Sequence, residues 1–219
     1  MTCILEIKAS ITADLDALTE CQIAAFPDSL SSLLGKRFCA KMLEWYIVAE
    51  RGVLFHVVDD GHVAGYCSGV VTKFQGQHGA STSIVQYAFV EFALAFVRRP
   101  WLLLHPEMLK KRQLIARNLR MKFKVESPDL LKQEFRPAPK ATTYWGLVGI
   151  GVTPQYRGKG LGTLLLNEFE RKAREDGVDE VHLSVKQQNA GAIKLYERNG
   201  WRVSSRSSDS FEMSKSLST

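Results

Sequence analysis

Cysteine is scarce and scattered in this chain: Cys3, Cys21, Cys39 and Cys67 form no Cys-x-x-Cys pair and share no cluster with histidine. That excludes a disulfide scaffold and a sequence-local metal site, and leaves reduced thiols used as small core residues in a cytosolic protein as the expectation. Long apolar runs are missing too. Ile84 to Val97 is apolar apart from Gln86 and Glu91, but fourteen residues fall short of the roughly 20 that a helix needs to cross a bilayer. The first residues, Met1-Thr2-Cys3-Ile4-Leu5-Glu6, lack a basic region followed by an apolar stretch, so no secretory leader is expected. No internal repeat is visible. With 219 residues and 45% apolar composition, a full core can be buried without covalent staples.

Charge is distributed unevenly. Between Gln75 and Lys140 twelve Lys and Arg face five Asp and Glu, a local excess of +7, whereas the whole chain carries only +6. The remainder is therefore close to neutral, and the basic character lies in one segment. That segment also interrupts the element order. Leu5 to Lys8 reads as a first strand, and Thr12 as the cap of a helix running to about Ala25 and stopped by Pro27. A second helix is expected from Leu33 to about Ala49, with Leu34, Phe38, Met42 and Trp45 at helical spacing. Val53 to Val58 and His62 to Thr72 then pair about Asp59-Asp60-Gly61. Some seventy residues later come a strand at Trp145 to Val152, a helix from Leu161 to Asp176 stopped at Gly177, and a strand at Val181 to Val185. The helix Ala190 to Asn199 and a last hairpin, Trp201 to Ser204 with Phe211 to Ser214, complete the pass.

The most informative segment is Gln155-Tyr156-Arg157-Gly158-Lys159-Gly160-Leu161-Gly162, which joins an apolar strand to an amphipathic helix. Glycines at 158, 160 and 162 let the backbone curl, bring successive N–H groups near an anion, and aim them along the positive end of the helix. Arg157 and Lys159 add charge. A Walker loop fails here, because Thr153 and Gly160 stand where a glycine and a Ser or Thr are needed. A dinucleotide fingerprint starting at Gly158 fails at Thr163, where the third glycine belongs.

Together with Asn189-Ala190-Gly191-Ala192-Ile193-Lys194-Leu195-Tyr196-Glu197-Arg198-Asn199-Gly200-Trp201, this loop resembles the GNAT superfamily of acyl-CoA-dependent N-acetyltransferases. The first segment matches that family's Gln/Arg-x-x-Gly-x-Gly/Ala pyrophosphate loop, and the second its Asn-x-x-Ala-x-x-Leu-Tyr-x-x-x-Gly-aromatic signature. The resemblance covers roughly two-thirds of the chain and implies an α/β (α+β) fold. The implied sheet is mixed and mostly antiparallel, with helices on both faces and a V-shaped splay at the cofactor strand. Residues 1–219 would form a single domain carrying a mainly helical basic insertion at about 75–140.

What the resemblance implies for the site is specific. Gly146, Gly149 and Gly151 interrupt the cofactor strand, and glycine inside a strand marks a bulge or a close backbone approach. In the family, a bulge there lets the pantetheine arm of acetyl-CoA pair with the exposed strand edge. Ile150, Gly151 and Val152 are the candidates for that contact. Gln155, Arg157, Gly158, Lys159, Gly160, Leu161, Gly162 and Thr163 are the candidates for the pyrophosphate. Asn189 is expected to cap its helix and touch the cofactor arm. Tyr196 matches the family's general acid beside the sulfur, and the Val152 N–H is the implied oxyanion donor. An unperturbed Tyr has a pKa near 10 and a thiol one near 8.5, so complete proton transfer to thiolate is uphill by roughly 2 kcal/mol, which favours hydrogen-bond donation. No metal is implied.

The general base is absent from the expected place, since Tyr144 to Val152 holds no carboxylate or histidine. His182 on the adjacent strand is a candidate because its reference pKa lies near neutrality. Asp28 in the loop between the first two helices is another, and an unassisted amine or a water relay is a third route. The stretch Ala25-Phe26-Pro27-Asp28-Ser29-Leu30, followed by Leu33-Leu34-Gly35-Lys36-Arg37-Phe38, is similar to bacterial GNAT proteins linked to amino-sugar modification. The expected acceptor is a small-molecule or saccharide amine, including a nucleotide-linked amino sugar, with protein N-termini, lysines and small polyamines left open.

The insert carries Arg98, Arg99, Lys110, Lys111, Arg112, Arg117, Arg120, Lys122 and Lys124 beside apolar and aromatic residues. It suits a buried or partner-facing helix, or contact with an anionic membrane. Nucleic acid fits less well, with no recognised binding module. The expected location is the cytoplasm, with the membrane periphery as the variant and a homodimer left open. A non-catalytic CoA-binding module docking through this insert is the alternative function.

Overall fold

A computed structural model describes residues 5–72, 80–105, 108–109 and 143–218. Cys3 and the insert's Lys110, Lys111, Arg112, Arg117, Arg120, Lys122 and Lys124 lie outside the described residues. The described strands are β1 (Glu6–Ala9), β2 (Gly52–Asp59), β3 (His62–Thr72), β4 (Tyr144–Val152), β5 (Glu180–Lys186), β6 (Arg202–Arg206) and β7 (Ser210–Ser216). They form one sheet in the order β1-β2-β3-β4-β5-β7-β6. Every neighbouring pair is antiparallel except β4 with β5. The sheet thus matches the mixed, mostly antiparallel architecture expected of a GNAT fold.

Local chemistry explains most boundaries. Asp60 and Gly61 both take positive φ, 46° and 77°, as a two-residue hairpin turn between right-twisted strands requires. α1 (Leu15–Ala25) ends before Pro27, and its first turn is a short 3-10 segment, Thr12–Asp14. Thr12 is consequently inside that segment and not its cap; the Ile11 N–H is held by Asp14 Oδ2 at 2.9 Å. The single helix expected from Leu33 is two: α2 (Leu30–Leu34), capped by Ser29, and α3 (Lys36–Val48). The break is Gly35, whose φ of 104° is closed to a continuing helix, and apolar spacing carries no trace of it.

Between β3 and β4 lie α4 (Ala80–Tyr87), α5 (Phe89–Arg98) and a 3-10 turn, Pro100–Leu104. After β4 come α6 (Leu161–Glu175) and α7 (Ala190–Arg198). Two cores result. One packs Leu165, Leu166 and Phe169 of α6 and Tyr196 of α7 on Phe55, Cys67, Leu147, Leu183 and Met213. The other packs Leu18, Phe38, Leu43, Trp45, Ile84 and Phe92 on Leu54 and Tyr66. Cys21, Cys39 and Cys67 are buried free thiols within these layers.

In the first core one carboxylate is almost wholly buried, and it is satisfied on both oxygens. Glu170 accepts from Trp201 Nε1 at 2.9 Å and from Lys215 Nζ at 2.6 Å. The aromatic residue that ends the Gly-Trp signature thereby locks the turn after α7 to α6 and β7.

Candidate active site

β4 leaves its parallel neighbour halfway along. Its pairing with β5 covers only Trp145, Gly146 and Leu147, opposite Val181, His182 and Leu183. The register with β3 shifts at the same point: Ser68 faces Gly149 while Gly69 faces Leu147, so Val148 is the extra residue of a bulge. Beyond it, Gly149 to Val152 keep pairing with β3 but have no strand partner on the β5 side. This is the splay expected at the cofactor strand.

Which main-chain groups face that opening follows from the antiparallel ladder. The Thr153 N–H donates to Ala64 O at 3.1 Å, so hydrogen-bonded and non-bonded pairs alternate back along β4. On that alternation the N–H and C=O groups of Ile150 and Val152 point away from β3, whereas those of Gly151 point toward it. Gly151 has a different task. A Cβ there would lie 2.4 Å from Tyr66 and 3.1 Å from Phe26, so glycine lets two aromatic rings close over the strand.

The end of β4 is pinned. Ala64 is the extra residue where β2 and β3 shift register between Val57 and Val58, and its carbonyl accepts both the N–H and the Oγ1 of Thr153 at 3.1 Å. A 3-10 turn, Pro154–Tyr156, follows, and then the glycine loop. Gly158 and Gly160 have φ of 75° and 84° with nothing within 4 Å of a built Cβ, so backbone conformation alone demands glycine there. Gly162 is helical and is set by contact instead: a Cβ would stand 3.1 Å from the end of the Leu195 side chain of α7, which would have to give way by a few tenths of an ångström.

The start of α6 is built to receive an anion. Gly160 caps it without a side chain, no acidic residue occupies its first turn, and the first N–H bonded within it is that of Leu164, to Gly160 O. The N–H groups of Leu161, Gly162 and Thr163 precede that bond, so the helix itself supplies them no acceptor. Gln155 and Lys159 are exposed beside them, and Lys159 Nζ lies 5.1 Å from the Tyr156 ring centre. Arg157 points back: its Nη2 donates to Ala25 O at 2.8 Å and its Nε to Val152 O at 3.3 Å. Its side chain fastens the loop to the end of α1.

Across the opening, Asn189 caps α7 through Oδ1, which accepts from the Ala192 N–H at 3.2 Å. That helix carries Tyr196, 8% exposed and packed on Trp201 with ring centres 6.0 Å apart. Burial, with Cys67 nearby, pushes its phenol up to about 12. Cys67 is the Cα partner of Ile150, and Tyr196 shares a core cluster with Cys67 against which Ile150 and Val152 pack. The Tyr196 hydroxyl makes no hydrogen bond among the described residues.

Ile150, Val152, the glycine loop, Asn189 and Tyr196 are thus brought to one opening; His182 is not. It faces Gly146, six residues back from Val152, or about 20 Å at 3.3 Å per residue. There it packs edge-on against Tyr144, 3.6 Å from Glu180, in a separate cavity of about 500 Å³. The alternation of β5 with buried Val181 and Leu183 placed it on a strand, but the register sets it at the wrong end. Asp28 is exposed in the α1–α2 loop. Residues not singled out from sequence are Thr153, the anchor of the loop, and Gln22, which takes the Tyr66 hydroxyl. Neither carries a local signal, since their partners lie 89 and 44 positions away.

A mixed sheet parted at its one parallel pair, with a glycine-rich turn after the parting, defines an α/β class of fold. Residues 130–201 match the acetyltransferase (GNAT) family. Solved structures share the fold over nearly the whole chain. The ribosomal-protein-S18-alanine N-acetyltransferase of Escherichia coli is 17% identical, with a TM-score of 0.56 over 99% of this chain and 96% of that one. PaiA N-acetyltransferase of Thermoplasma acidophilum, solved with coenzyme A, is 15% identical at TM-score 0.55, covering 97% and 99%. YncA of Salmonella typhimurium, solved with its cofactor acetyl-CoA, is 16% identical at TM-score 0.53, covering 98% and 94%. The family match thus lies on residues 130–201, and the likeness over the rest of the chain is one of fold.

Proposed function

We propose that the protein is an acyl-CoA-dependent N-acetyltransferase that moves an acetyl group to a primary amine by direct attack within a ternary complex. The observation that carries this reading is the buried Tyr196 hydroxyl, unbonded among the described residues, in the core cluster against which Ile150 and Val152 of β4 pack. A buried phenol without a partner is costly unless a ligand supplies one. The donor set fits acetyl-CoA along its length: N–H groups of Leu161, Gly162 and Thr163 for the diphosphate, Ile150 and Val152 for the pantetheine amides, and Asn189 alongside. When bound, acetyl-CoA supplies an acyl group activated as a thioester.

The chain's own residues then have separable tasks. The Val152 N–H is the donor toward the carbonyl oxygen as negative charge gathers there. Tyr196 donates a hydrogen bond toward the sulfur. With its phenol at about 12 against a free thiol near 8.5, complete transfer of its proton is uphill by about 5 kcal/mol, so the proton stays on Tyr196. The proton that the thiolate finally receives comes from the attacking nitrogen, which gives it up as the neutral amide forms. No base is assigned on β4, and the amine's own pKa sets the fraction that is neutral.

The reading treats residues 1–219 as one GNAT-like domain with an insertion. It takes a saccharide amine, such as a nucleotide-linked amino sugar, as the acceptor, on the resemblance of residues 25–38 alone. Thiol release measured with acetyl-CoA and a panel of amino sugars, polyamines and peptide N-termini tests it. Turnover with one class is expected. Coenzyme A binding by calorimetry without turnover on any amine would favour the non-catalytic module instead.

A further inference from the structure

The helices between β3 and β4 present a face that the proposed transfer does not use. On α5, Phe92 and Ala95 are buried against the rest of the fold, while Val90, Leu94 and Val97 lie on the outside at i, i+4 and i+7. The 3-10 turn after it buries Leu102 and leaves its other large residues in water. Val97 is 78%, Trp101 63% and Leu104 74% exposed. The contrast with the remaining tryptophans is sharp, since Trp45, Trp145 and Trp201 are each at most 6% exposed.

A basic hollow adjoins the stripe. Arg37, Arg98 and Arg99, with Lys36 and one acidic residue, Glu91, line a cavity of about 250 Å³ whose apolar wall includes Leu94 and Phe38. Lys36 pairs with Glu20 at 3.1 Å, and Arg99 Nη1 donates to Leu33 O at 2.5 Å. Arg37 and Arg98 make no ion pair among the described residues. The sequence carries the same charge onward, with nine Lys and Arg against the single Glu107 between Arg98 and Lys124.

We infer that this face docks the protein on the anionic surface of a lipid bilayer, with Val97, Trp101 and Leu104 entering the interface and Arg37 and Arg98 meeting headgroup phosphates. Apolar and aromatic side chains beside arginines with no ion pair among the described residues suit an interfacial helix, and α5 is too short to cross. A second copy of the chain fits poorly, because the face would meet its own positive charge. Nucleic acid offers no counterpart to the apolar stripe. The docking face is also tied to the rest of the fold: Arg99 holds α2, and the loop before α2 carries Phe26, which closes on Gly151. The inference stands whether or not the transfer reading does.

Vesicle flotation of the full chain without added coenzyme tests it. Vesicles of phosphatidylglycerol with phosphatidylcholine should carry the protein at low salt, release it at high salt, and outcompete pure phosphatidylcholine. Trp101 should shift its emission to the blue and be quenched by brominated lipid, the other three tryptophans being buried already. Val97→Glu should lower partitioning about tenfold, and Arg98→Glu roughly thirtyfold for a change of two charges. Ile11→Glu, at another exposed apolar site, should change nothing. Equal binding to neutral vesicles, or Val97→Glu floating like the parent, overturns the inference. So does a concentration-dependent dimer that Val97→Glu dissolves, if it forms without any flotation.

Discussion

Two buried phenols on opposite faces of the sheet meet different fates. Under α1, Tyr66 is closed in completely: its hydroxyl donates to Gln22, whose amide donates in turn to Ser31 at 3.1 Å. On the α6 face, Tyr196 is nearly as buried, and its hydroxyl reaches nothing among the described residues. Burial raises both phenols, Tyr66 well above its ordinary value and Tyr196 to about 12. The same side chain is thus used once to complete a core and once to leave a core open. The difference makes Tyr196, and not Tyr66, the phenol free to donate to an added molecule.

Substituting each tyrosine in turn separates the two roles. Tyr196→Phe should lower kcat about a hundredfold, roughly 2.7 kcal/mol of transition-state stabilisation, with a small change in cofactor affinity. Its melting temperature should hold or rise, since an unbonded buried hydroxyl is removed. Tyr66→Phe should do the reverse, costing about 2 kcal/mol of stability by leaving Gln22 unsatisfied while kcat changes little. Steady-state thiol release and denaturant unfolding on both variants read the pattern. Equal losses of rate in the two proteins would erase the distinction drawn here.

Alkali sharpens the same contrast. An unfolded Tyr gives up its proton near 10, whereas Tyr196 in the folded protein keeps it to about 12. Over that window the unfolded state binds fewer protons, so stability falls with rising pH by about 1.4 kcal/mol per pH unit for this group. Cys21, raised from 9.0 to about 12, and Cys39, raised to about 11, start the decline near pH 9 for the same reason. Below pH 9 these groups leave stability flat. Urea unfolding from pH 8 to 11 should show the fall, and Tyr196→Phe should make it shallower by one group's share above pH 10.

Local rules carried the site further than the core. The loop was legible because positive φ at Gly158 and Gly160 and an uncapped helix start are properties of a few adjacent residues. The signature at Asn189 to Trp201 was legible for the same reason, a cap at one end and a glycine at the other. Three glycines announced that β4 was irregular, but only the pairing shows that Val148 is the bulge and that Gly151 serves two aromatic rings. Likewise nothing near Gly162 in sequence tells that Leu195 packs against it. His182 was misplaced because alternation fixes the face of a strand and says nothing of its offset against a parallel neighbour.

Arg157 gives the smallest effect and divides the loop's two functions most finely. Read from sequence, its charge belongs to the diphosphate; in the fold, its guanidinium holds the carbonyls of Val152 and Ala25. One bond is exposed and the other only partly buried, so Arg157→Gln should cost about 1 kcal/mol and lower the melting temperature by roughly 2–4 °C. The bond to Ala25 ties the glycine loop to the end of α1, next to the Phe26 ring that closes on Gly151. Losing it should raise the apparent KM for the amine a few-fold while coenzyme A binds nearly as before, with little change in salt dependence. A larger loss in coenzyme A affinity, growing as salt is lowered, would return Arg157 to the diphosphate and make its contact with α1 incidental.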